Sequence, residues 1–264
     1  MNKPSSLYHY TSFDAIVHIL DYNQECLAKR GMMNFRFGNP LKTNDRREIC
    51  FFENHFFTDS ELSKEVRALY EEIKRNSPNP FFLSLIHHKG TKWHPKEEIP
   101  MWYMYGDYSK GIRIAFDYAL LEDYCIKESY TFDKCSYYLE NEMCQKASEL
   151  RKTFTKDNRV KWEAQLKEIY ANMLYYKTKD WDYENEYRII TWGNQPDRIQ
   201  KNEDSGKIYY QVPIPLDCVR EITIGPLADL MVVERSIMLI KEKLQGILSD
   251  IAHFEVNCSK LQIR

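Results

Sequence analysis

The chain has 264 residues, which suits one large domain or two small ones with room for a substantial core. Its 37 basic and 39 acidic side chains give a net charge of −2, which excludes a global electrostatic field that would attract nucleic acid. The seven cysteines form no Cys-x-x-Cys pair, which argues against a disulfide framework or a cysteine zinc site and predicts reduced, buried thiols. Because the sequence contains neither a signal-peptide core nor an apolar run near the roughly 18 residues of a membrane span, we expect a soluble, cytoplasmic protein.

The first predicted element is a short strand over residues 7–11, and either Thr11 or Ser12 is placed to cap the helix that follows. The apolar residues of that helix recur at helical spacing: Phe13, Ile16, Val17, Ile19 and Leu20. His9 therefore lies in or beside a strand that leads into a helix N-terminus, where anions and polar ligands are favoured. The alternative is a core histidine that is hydrogen-bonded to the backbone.

The next segment combines a predicted strand with a basic stretch. Residues 24–29 predict the strand, whereas residues 30–48 contain glycine and proline without clear periodicity and predict a loop. Arg30 and Arg36 belong to this basic stretch. They are candidates for binding phosphate, since a guanidinium donates two parallel hydrogen bonds. A solvated loop is the alternative.

The central region begins with an amphipathic helix that is predicted from about residue 59. The apolar run 81–86 then predicts a central strand. Residues 87–96 contain three histidines without an accompanying acidic ligand, and this pattern favours a polar lid over a metal site.

Three aromatic residues follow that lid within four positions. Trp102, Tyr103 and Tyr105 are expected on a short helix that ends at Gly106, before a strand over residues 112–117. Either tyrosine is placed to stack on a ligand ring, with core packing as the alternative.

The rest of the chain predicts strands separated from helices. Residues 140–177 predict one long helix or two shorter ones, which we interpret as an insertion in a smaller core fold. One or two strands are expected within residues 124–138, and further strands at residues 207–213, 219–225 and 253–258. One more helix is expected at residues 227–248. Because the helices segregate from adjacent strands, we predict a single α+β domain over residues 1–264.

Residues 179–192 are the most informative stretch, since four acids there lead into an apolar, β-branched run. Period-two alternation along a strand places Glu184, Glu186 and Arg188 on one face. Two carboxylates on one face raise each other's pKa unless a cation or a substrate compensates them. A structural ion pair between Glu186 and Arg188 is therefore the alternative to a functional pair of acids.

Four short motifs occur in order along the chain. They are Leu-Tyr-His-Tyr-Thr-Ser at 7–12, Trp-x-x-Tyr-Gly at 102–106, Trp-x-x-Glu-x-Glu-Tyr-Arg at 181–188 and Ile-x-Ile-Gly at 222–225. With these motifs the chain resembles an uncharacterised bacterial and phage domain family. More distantly, the layout is similar to that of ADP-ribosyltransferases.

This resemblance implies a fold, a substrate and a set of residue roles. It implies split mixed or antiparallel sheets flanked by helices, with NAD as a substrate and without a metal. It assigns to Glu186 the stabilisation of the oxocarbenium-like ribose as nicotinamide leaves, and to Glu184 the orientation of the acceptor on a loop at 178–185. The residues carried over as NAD contacts are His9, Tyr10, Thr11, Trp102, Tyr103, Tyr105 and Arg188.

The predicted function is an NAD-dependent ADP-ribosyltransferase that acts as a toxin or phage-defence effector on a protein or nucleic-acid acceptor. Two alternatives stay open. One is a nuclease that uses the acids of residues 180–186 with a metal. The other is a non-catalytic nucleotide-binding or interaction module. Dependence on a divalent metal separates the nuclease, because cleavage of the NAD glycosidic bond needs no metal.

Overall fold

The fold was obtained as a computed structural model. It describes residues 3–21, 31–40, 46–58, 60–88, 95–202, 206–229, 231, 234, 235, 238, 242 and 255–261. The strands are β1 (Ser6–Thr11), β2 (Met32–Gly38), β3 (Pro80–Ile86), β4 (Ile112–Asp117), β5 (Thr131–Lys134), β6 (Ser136–Tyr138), β7 (Tyr176–Thr178), β8 (Glu186–Trp192), β9 (Ile199–Lys201), β10 (Ile208–Pro215), β11 (Val219–Ile224) and β12 (Glu255–Cys258). The α-helices are α1 (Phe13–Asp21), α2 (Arg46–Phe56), α3 (Glu61–Asn76), α4 (Pro95–Tyr105), α5 (Tyr118–Lys127), α6 (Glu140–Arg151) and α7 (Trp162–Met173). Short 3₁₀ helices cover Lys156–Lys161, Lys179–Glu184, Pro196–Arg198 and Leu216–Cys218.

The main sheet is mixed, because β11 and β12 run parallel while its other pairs are antiparallel. Its strands follow the order β12-β11-β4-β1-β3-β2-β10-β9, with β8 paired to β3 and β5 paired to β8. Helices flank this sheet and gather in a separate cluster. The predicted α+β class is therefore confirmed.

β3 is the branch point of the sheet. It pairs with β8 along its whole length. Its contacts with the two other neighbours are short, since β1 meets it at Tyr8–Ile86 and β2 meets it at Gly38–Phe82. The sheet therefore splits between β1 and β2, along the edge of β3 that these two strands share. The site described below lies at this split.

Alternation along β3 separates the core from that split. Phe81, Leu83 and Leu85 are buried in the main hydrophobic core. The residues between them point to the opposite face, as the period of two requires. That face is lined by Phe82, Ser84 and Ile86.

A second hydrophobic cluster lies among helices α2, α3, α6 and α7. Phe52, Trp162 and Leu166 are fully buried members of it. The helices predicted for residues 140–177 are thus confirmed as α6 and α7. They end earlier than expected, because α7 stops at Met173 and residues 176–178 form β7.

The predicted loop over residues 30–48 is wrong in two places, since β2 and the start of α2 fall within it. β2 alternates apolar with polar residues, and Met33, Phe35 and Phe37 are buried. Asn34 and Arg36 are the polar positions of this alternation, whereas Gly31 and Gly38 at its two ends favour the interpretation as a loop.

Two further expectations are refined. The one or two strands expected within residues 124–138 are confirmed as β5 and β6, but the first residues of that range belong to α5. The cysteines are not all buried either, since Cys50, Cys144 and Cys258 are exposed.

Several predictions lie outside the described residues or were not tested. The strand at residues 24–29, Arg30, most of the lid at 87–96 and most of the helix at 227–248 fall outside the described ranges. The single domain over residues 1–264 stays a prediction. Within the described ranges, no helix combines the length and the apolar character that a membrane span needs.

Candidate active site

A cleft of about 950 Å³ opens where the sheet splits along β3. Its volume lies within the range of about 300–1,000 Å³ that is typical of small-molecule sites. Thr11, a predicted NAD contact, pairs with Ile112 on β4, and the next residue, Ser12, lines the cleft in its place. Of the residues predicted for the site, those that line the cleft are His9, Tyr10, Tyr103, Tyr105, Glu184, Glu186 and Arg188.

Glu186, the first residue of β8, lines the cleft and yet is only 2% exposed. Its Oε1 accepts a hydrogen bond of 2.8 Å from Arg188 Nε, and its Oε2 accepts one of 2.7 Å from Lys177 Nζ. The Ser84 hydroxyl on β3 also donates to Oε1. The Glu186 backbone N–H donates to the Tyr137 hydroxyl at 2.7 Å. Both the backbone and the carboxylate of Glu186 are therefore held in place.

Glu184 reaches the same cluster by another route than the one predicted. It ends the 3₁₀ helix Lys179–Glu184, and Asn185 between the two acids has a left-handed backbone with φ of 45°. The two acids therefore do not alternate along one strand, so that prediction is wrong. Their carboxylates meet nonetheless, because the left-handed residue turns the chain between them.

Lys177 joins the two acids. This residue of β7 is 6% exposed. Its Nζ donates to Glu184 Oε2 at 2.5 Å and to Glu186 Oε2 at 2.7 Å. It also lies 5.6 Å from the ring centre of Trp181. Sequence reasoning missed Lys177, because a single lysine after a helix carries no motif and its contacts depend on how β7 packs beside β8.

The two carboxyl groups have opposite pKa shifts. Burial raises the pKa of Glu184, as does the charge of Glu186, and this increase outweighs the opposing effect of Lys177. Burial also acts to raise the pKa of Glu186, but the charges of Arg188 and Lys177 outweigh it and lower that pKa to about 2. Glu186 is thus ionised at neutral pH, and Glu184 is the easier of the two to protonate.

His9 lies across β3 from Glu186 and is connected to it through Ser84. The His9 Nδ1 is 3.0 Å from the Ser84 carbonyl oxygen. A carbonyl oxygen can only accept, so Nδ1 carries the proton and donates it. Burial lowers the pKa of His9, so the ring is neutral at pH 7 and its Nε2 is an acceptor. Through its carbonyl and its hydroxyl, Ser84 therefore orients both the neutral His9 ring and the Glu186 carboxylate beside the same cleft.

Tyr10 and Trp102 have different positions, although the family resemblance assigns both to NAD binding. The Tyr10 hydroxyl lies 2.9 Å from His88 Nε2, and its ring lines the cleft. Trp102 is 0% exposed and packs edge-on against Tyr10, with 5.0 Å between ring centres. Trp102 therefore lies behind Tyr10 and does not line the cleft, because the Trp102 ring fills the core at the end of β1. The predicted contact of Trp102 with a ligand is corrected accordingly.

The tyrosines after Trp102 are more accessible. Tyr103 is 59% exposed and Tyr105 is 39% exposed, and both line the cleft. The Tyr105 hydroxyl donates to Glu184 Oε1 at 2.5 Å, so this tyrosine is oriented by one of the two acids. Tyr103 packs edge-on against Tyr108, at 5.2 Å between ring centres.

The turn that carries Tyr108 is strained. Asp107, Tyr108 and Ser109 have φ angles of 49°, 51° and 72°, a left-handed conformation that side chains disfavour. The turn is fixed from both sides, since Ser109 N–H donates to the Trp102 carbonyl at 2.9 Å and Leu227 N–H donates to the Ser109 carbonyl at 2.9 Å. Strain that the surroundings hold in place is characteristic of functional sites.

Arg36, a predicted phosphate ligand, contacts the cleft through a tyrosine that lines it. The guanidinium of Arg36 lies 4.6 Å from the ring centre of Tyr209, and that ring lines the cleft. Across the described ranges, no group of three or more His, Cys, Asp or Glu side chains is placed to hold a metal ion.

Residues 101–189 match the model of a family described as a protein of unknown function (DUF2971). This segment contains the motifs at residues 102–106 and 181–188, so the predicted resemblance to an uncharacterised family is confirmed there. No curated protein matches the chain.

Three solved structures of one protein are similar to the chain at low identity. Thermus sp. 2.9 DarT in complex with NAD⁺ is 11% identical with a TM-score of 0.33, and the match covers 98% of this chain and 97% of that one. The same protein in complex with carba-NAD⁺ has the same identity and TM-score, with 98% of each chain covered. Its complex with ADP-ribosylated ssDNA is 10% identical with a TM-score of 0.32, and the match covers 98% of this chain and 96% of that one.

Proposed function

We propose that this protein is an NAD-dependent ADP-ribosyltransferase. The observation that carries the proposal is the state of Glu186, which is ionised, rigidly held and placed in the split-sheet cleft across Ser84 from a neutral His9. The motif resemblance supports the same roles. It is also the only support for an effector role as a toxin or in phage defence and for a protein or nucleic-acid acceptor.

Glu186 supplies the electrostatic part of the reaction. When the bond between nicotinamide and ribose C1′ breaks, its electron pair stays on the nicotinamide nitrogen and positive charge develops on the ribose. A fixed carboxylate stabilises that charge without reorganising during the reaction. The acceptor then bonds to C1′ and loses its proton, so the products are the ADP-ribosylated acceptor, nicotinamide and one proton.

Glu184 is suited to the acceptor side of this reaction. Its pKa is raised, and a carboxylate with a raised pKa is a better proton acceptor than an ordinary one. Tyr105 orients one of its oxygens. Glu184 therefore takes the proton from the acceptor, while Glu186 faces the ribose.

His9 and the tyrosines serve the binding of NAD. The Nε2 of a neutral His9 accepts a hydrogen bond from a ribose hydroxyl. The exposed rings of Tyr103 and Tyr105 offer faces on which nicotinamide stacks. Arg36 at the rim is available for the phosphates.

One observation favours a second candidate function. The Glu186 carboxylate accepts hydrogen bonds from Lys177, Arg188 and Ser84 and is almost completely buried. A buried ion pair that has only a structural role needs the same number of hydrogen-bond partners to compensate its loss of water. The second candidate is therefore a non-catalytic nucleotide-binding module in which the same cluster only supports the cleft.

Release of nicotinamide tests the two candidates. The purified protein is incubated with NAD labelled in the nicotinamide ring and, separately, in the adenine, with and without a cell lysate as the source of acceptors. We expect release of nicotinamide with a chelator present, and transfer of adenine label to macromolecules when lysate is added. Glu184→Gln should reduce transfer more than release. Saturable NAD binding without any release would favour the binding module, and activity on nucleic acid that the chelator abolishes would favour the nuclease.

A further inference from the structure

We propose that Lys177 is a positioning residue that sets the spacing of Glu184 and Glu186 for transfer. This inference rests on the function proposed above and extends it to a residue that no motif includes.

The geometry shows why the two acids need such a residue. Glu184 ends a 3₁₀ helix and Glu186 begins β8, with the left-handed Asn185 between them. The two acids therefore do not belong to one strand, and the hydrogen bonds of the sheet do not fix the distance between their carboxylates. The Lys177 ammonium does so directly, because it donates to an oxygen of each at 2.5 and 2.7 Å.

The other cation of the cluster has a different arrangement. Arg188 donates to both oxygens of Glu186, from Nε at 2.8 Å and from Nη2 at 3.2 Å. A further N–H of its guanidinium donates to the Leu174 carbonyl, and its plane lies over the Phe82 ring at 4.5 Å. Arg188 thus anchors Glu186 to its surroundings, whereas Lys177 bridges the two acids.

The charge of Lys177 also affects the proton balance of the site. It acts to lower the pKa of both carboxyl groups, against the effect of burial. If the ammonium were removed, Glu184 would be protonated at a higher pH than before. A protonated Glu184 cannot take the proton of the acceptor, so transfer would be lost first at the acid side of the pH profile.

The burial of Lys177 fits this role. Its side chain is 8% exposed and the two carboxylates are 3% and 2% exposed. An ammonium that leaves water costs more free energy than most ion pairs return, so stability alone gives little reason for it. If Lys177 were only structural, its removal would lower the melting temperature and leave the shape of the pH profile unchanged.

The test is the pH profile of nicotinamide release and of transfer for the wild type, Lys177→Met, Lys177→Arg and the control Lys167→Met. Lys167 makes an exposed ion pair with Glu163 at 2.6 Å, so its removal takes away a charge far from these contacts. We expect Lys177→Met to reduce transfer at pH 7 at least about ten-fold and to move the acid limb of the profile upward by about one pH unit. Lys177→Arg should keep the acid limb of the wild type, and Lys167→Met should change neither quantity.

A second variant covers the case in which Lys177→Met fails to fold. Lys177→Met/Glu184→Gln removes one positive and one negative charge together, which leaves the Glu186–Arg188 pair balanced. Because Lys177 acts through Glu184, we expect this folded variant to release nicotinamide and to transfer no less than Glu184→Gln alone. A folded Lys177→Met protein with wild-type transfer and a wild-type acid limb, or a double variant whose transfer falls about ten-fold further below that of Glu184→Gln, would overturn the role of Lys177. Absence of release by the wild type at every pH would instead overturn the proposed function itself.

Discussion

Two buried clusters in the part of the chain that the structure describes have opposite compositions. The cluster among α2, α3, α6 and α7 consists of apolar and aromatic side chains, such as the fully buried Trp162. The cluster at the split of the sheet contains four charged residues that are between 2% and 6% exposed: Lys177, Glu184, Glu186 and Arg188.

The two compositions have different consequences for the free energy of folding. Apolar burial contributes directly to stability, at roughly 25 cal/mol per Å². Buried ion pairs often return less free energy than the removal of their charges from water costs, and apolar residues of similar size often serve stability better. We therefore propose that the charges in the cleft serve the chemistry of the protein, whereas the helical cluster serves its stability. The predictions below separate these two explanations.

The largest loss of stability is expected for Arg188→Met. This change leaves Glu186 buried with one cation less, and breaking a buried pair typically costs about 3–5 kcal/mol. Arg159→Met is the control, because Arg159 pairs with Glu65 at 3.5 Å with both side chains well exposed. An exposed pair is worth less than about 1 kcal/mol. Urea unfolding of both variants measures the difference, and equal losses would mean that the cluster in the cleft is not compensated as described.

Leu166→Ala in the helical cluster should cost about 3 kcal/mol, because it leaves a cavity among closely packed side chains. Its control is Val160→Ala, since Val160 is 90% exposed and its truncation should change stability by less than about 0.5 kcal/mol. Nicotinamide release per folded molecule should stay unchanged in both variants. Loss of release in folded Leu166→Ala would show that the helical cluster takes part in the chemistry.

The last of these effects, which Glu184 partly cancels, is the dependence of stability on pH. The pKa of Glu186 falls from its ordinary value of 4.5 to about 2 on folding, so its contribution is complete above pH 4.5 and is lost as the pH falls through 2. Each unit by which folding lowers the pKa contributes about 1.4 kcal/mol to the free energy of unfolding. Glu184 has a raised pKa and works in the opposite direction, which reduces the total.

Unfolding of the wild type and Glu186→Gln at several pH values between 2 and 5 measures this dependence. The wild type should lose stability across the interval, and Glu186→Gln should lose less. Parallel curves for the two proteins would contradict the assignment of the ionised state to Glu186.

The sequence alone was sufficient for the strands that carry the site. β1, β3 and β8 follow from short apolar runs, and both acids follow from the motif at residues 181–188. β2 was missed because its short alternation is bounded by Gly31 and Gly38 and lies in a basic stretch, and both features favour a loop. Helix α5 was missed because strand signals on both sides of it dominate the composition.

The composition of the site was harder to predict than its location. Glu184 and Glu186 do come together, but a left-handed Asn185 and a 3₁₀ helix achieve it rather than strand alternation. Lys177 and Ser84 come from other elements, and only the packing of β7 and β3 beside β8 brings them to the acids. Contacts of this kind leave no local pattern in the sequence.

The central claim is that Glu186 acts in the chemistry and not only in the fold. Glu186→Gln keeps the size of the side chain and removes its charge, while Glu163→Gln makes the same change in an exposed ion pair on α7. Nicotinamide release per folded molecule should fall about a hundred-fold or more in Glu186→Gln, as is typical when a fixed stabilising group is lost. It should remain at the wild-type rate in Glu163→Gln. A folded Glu186→Gln protein that releases nicotinamide at the wild-type rate would contradict the claim.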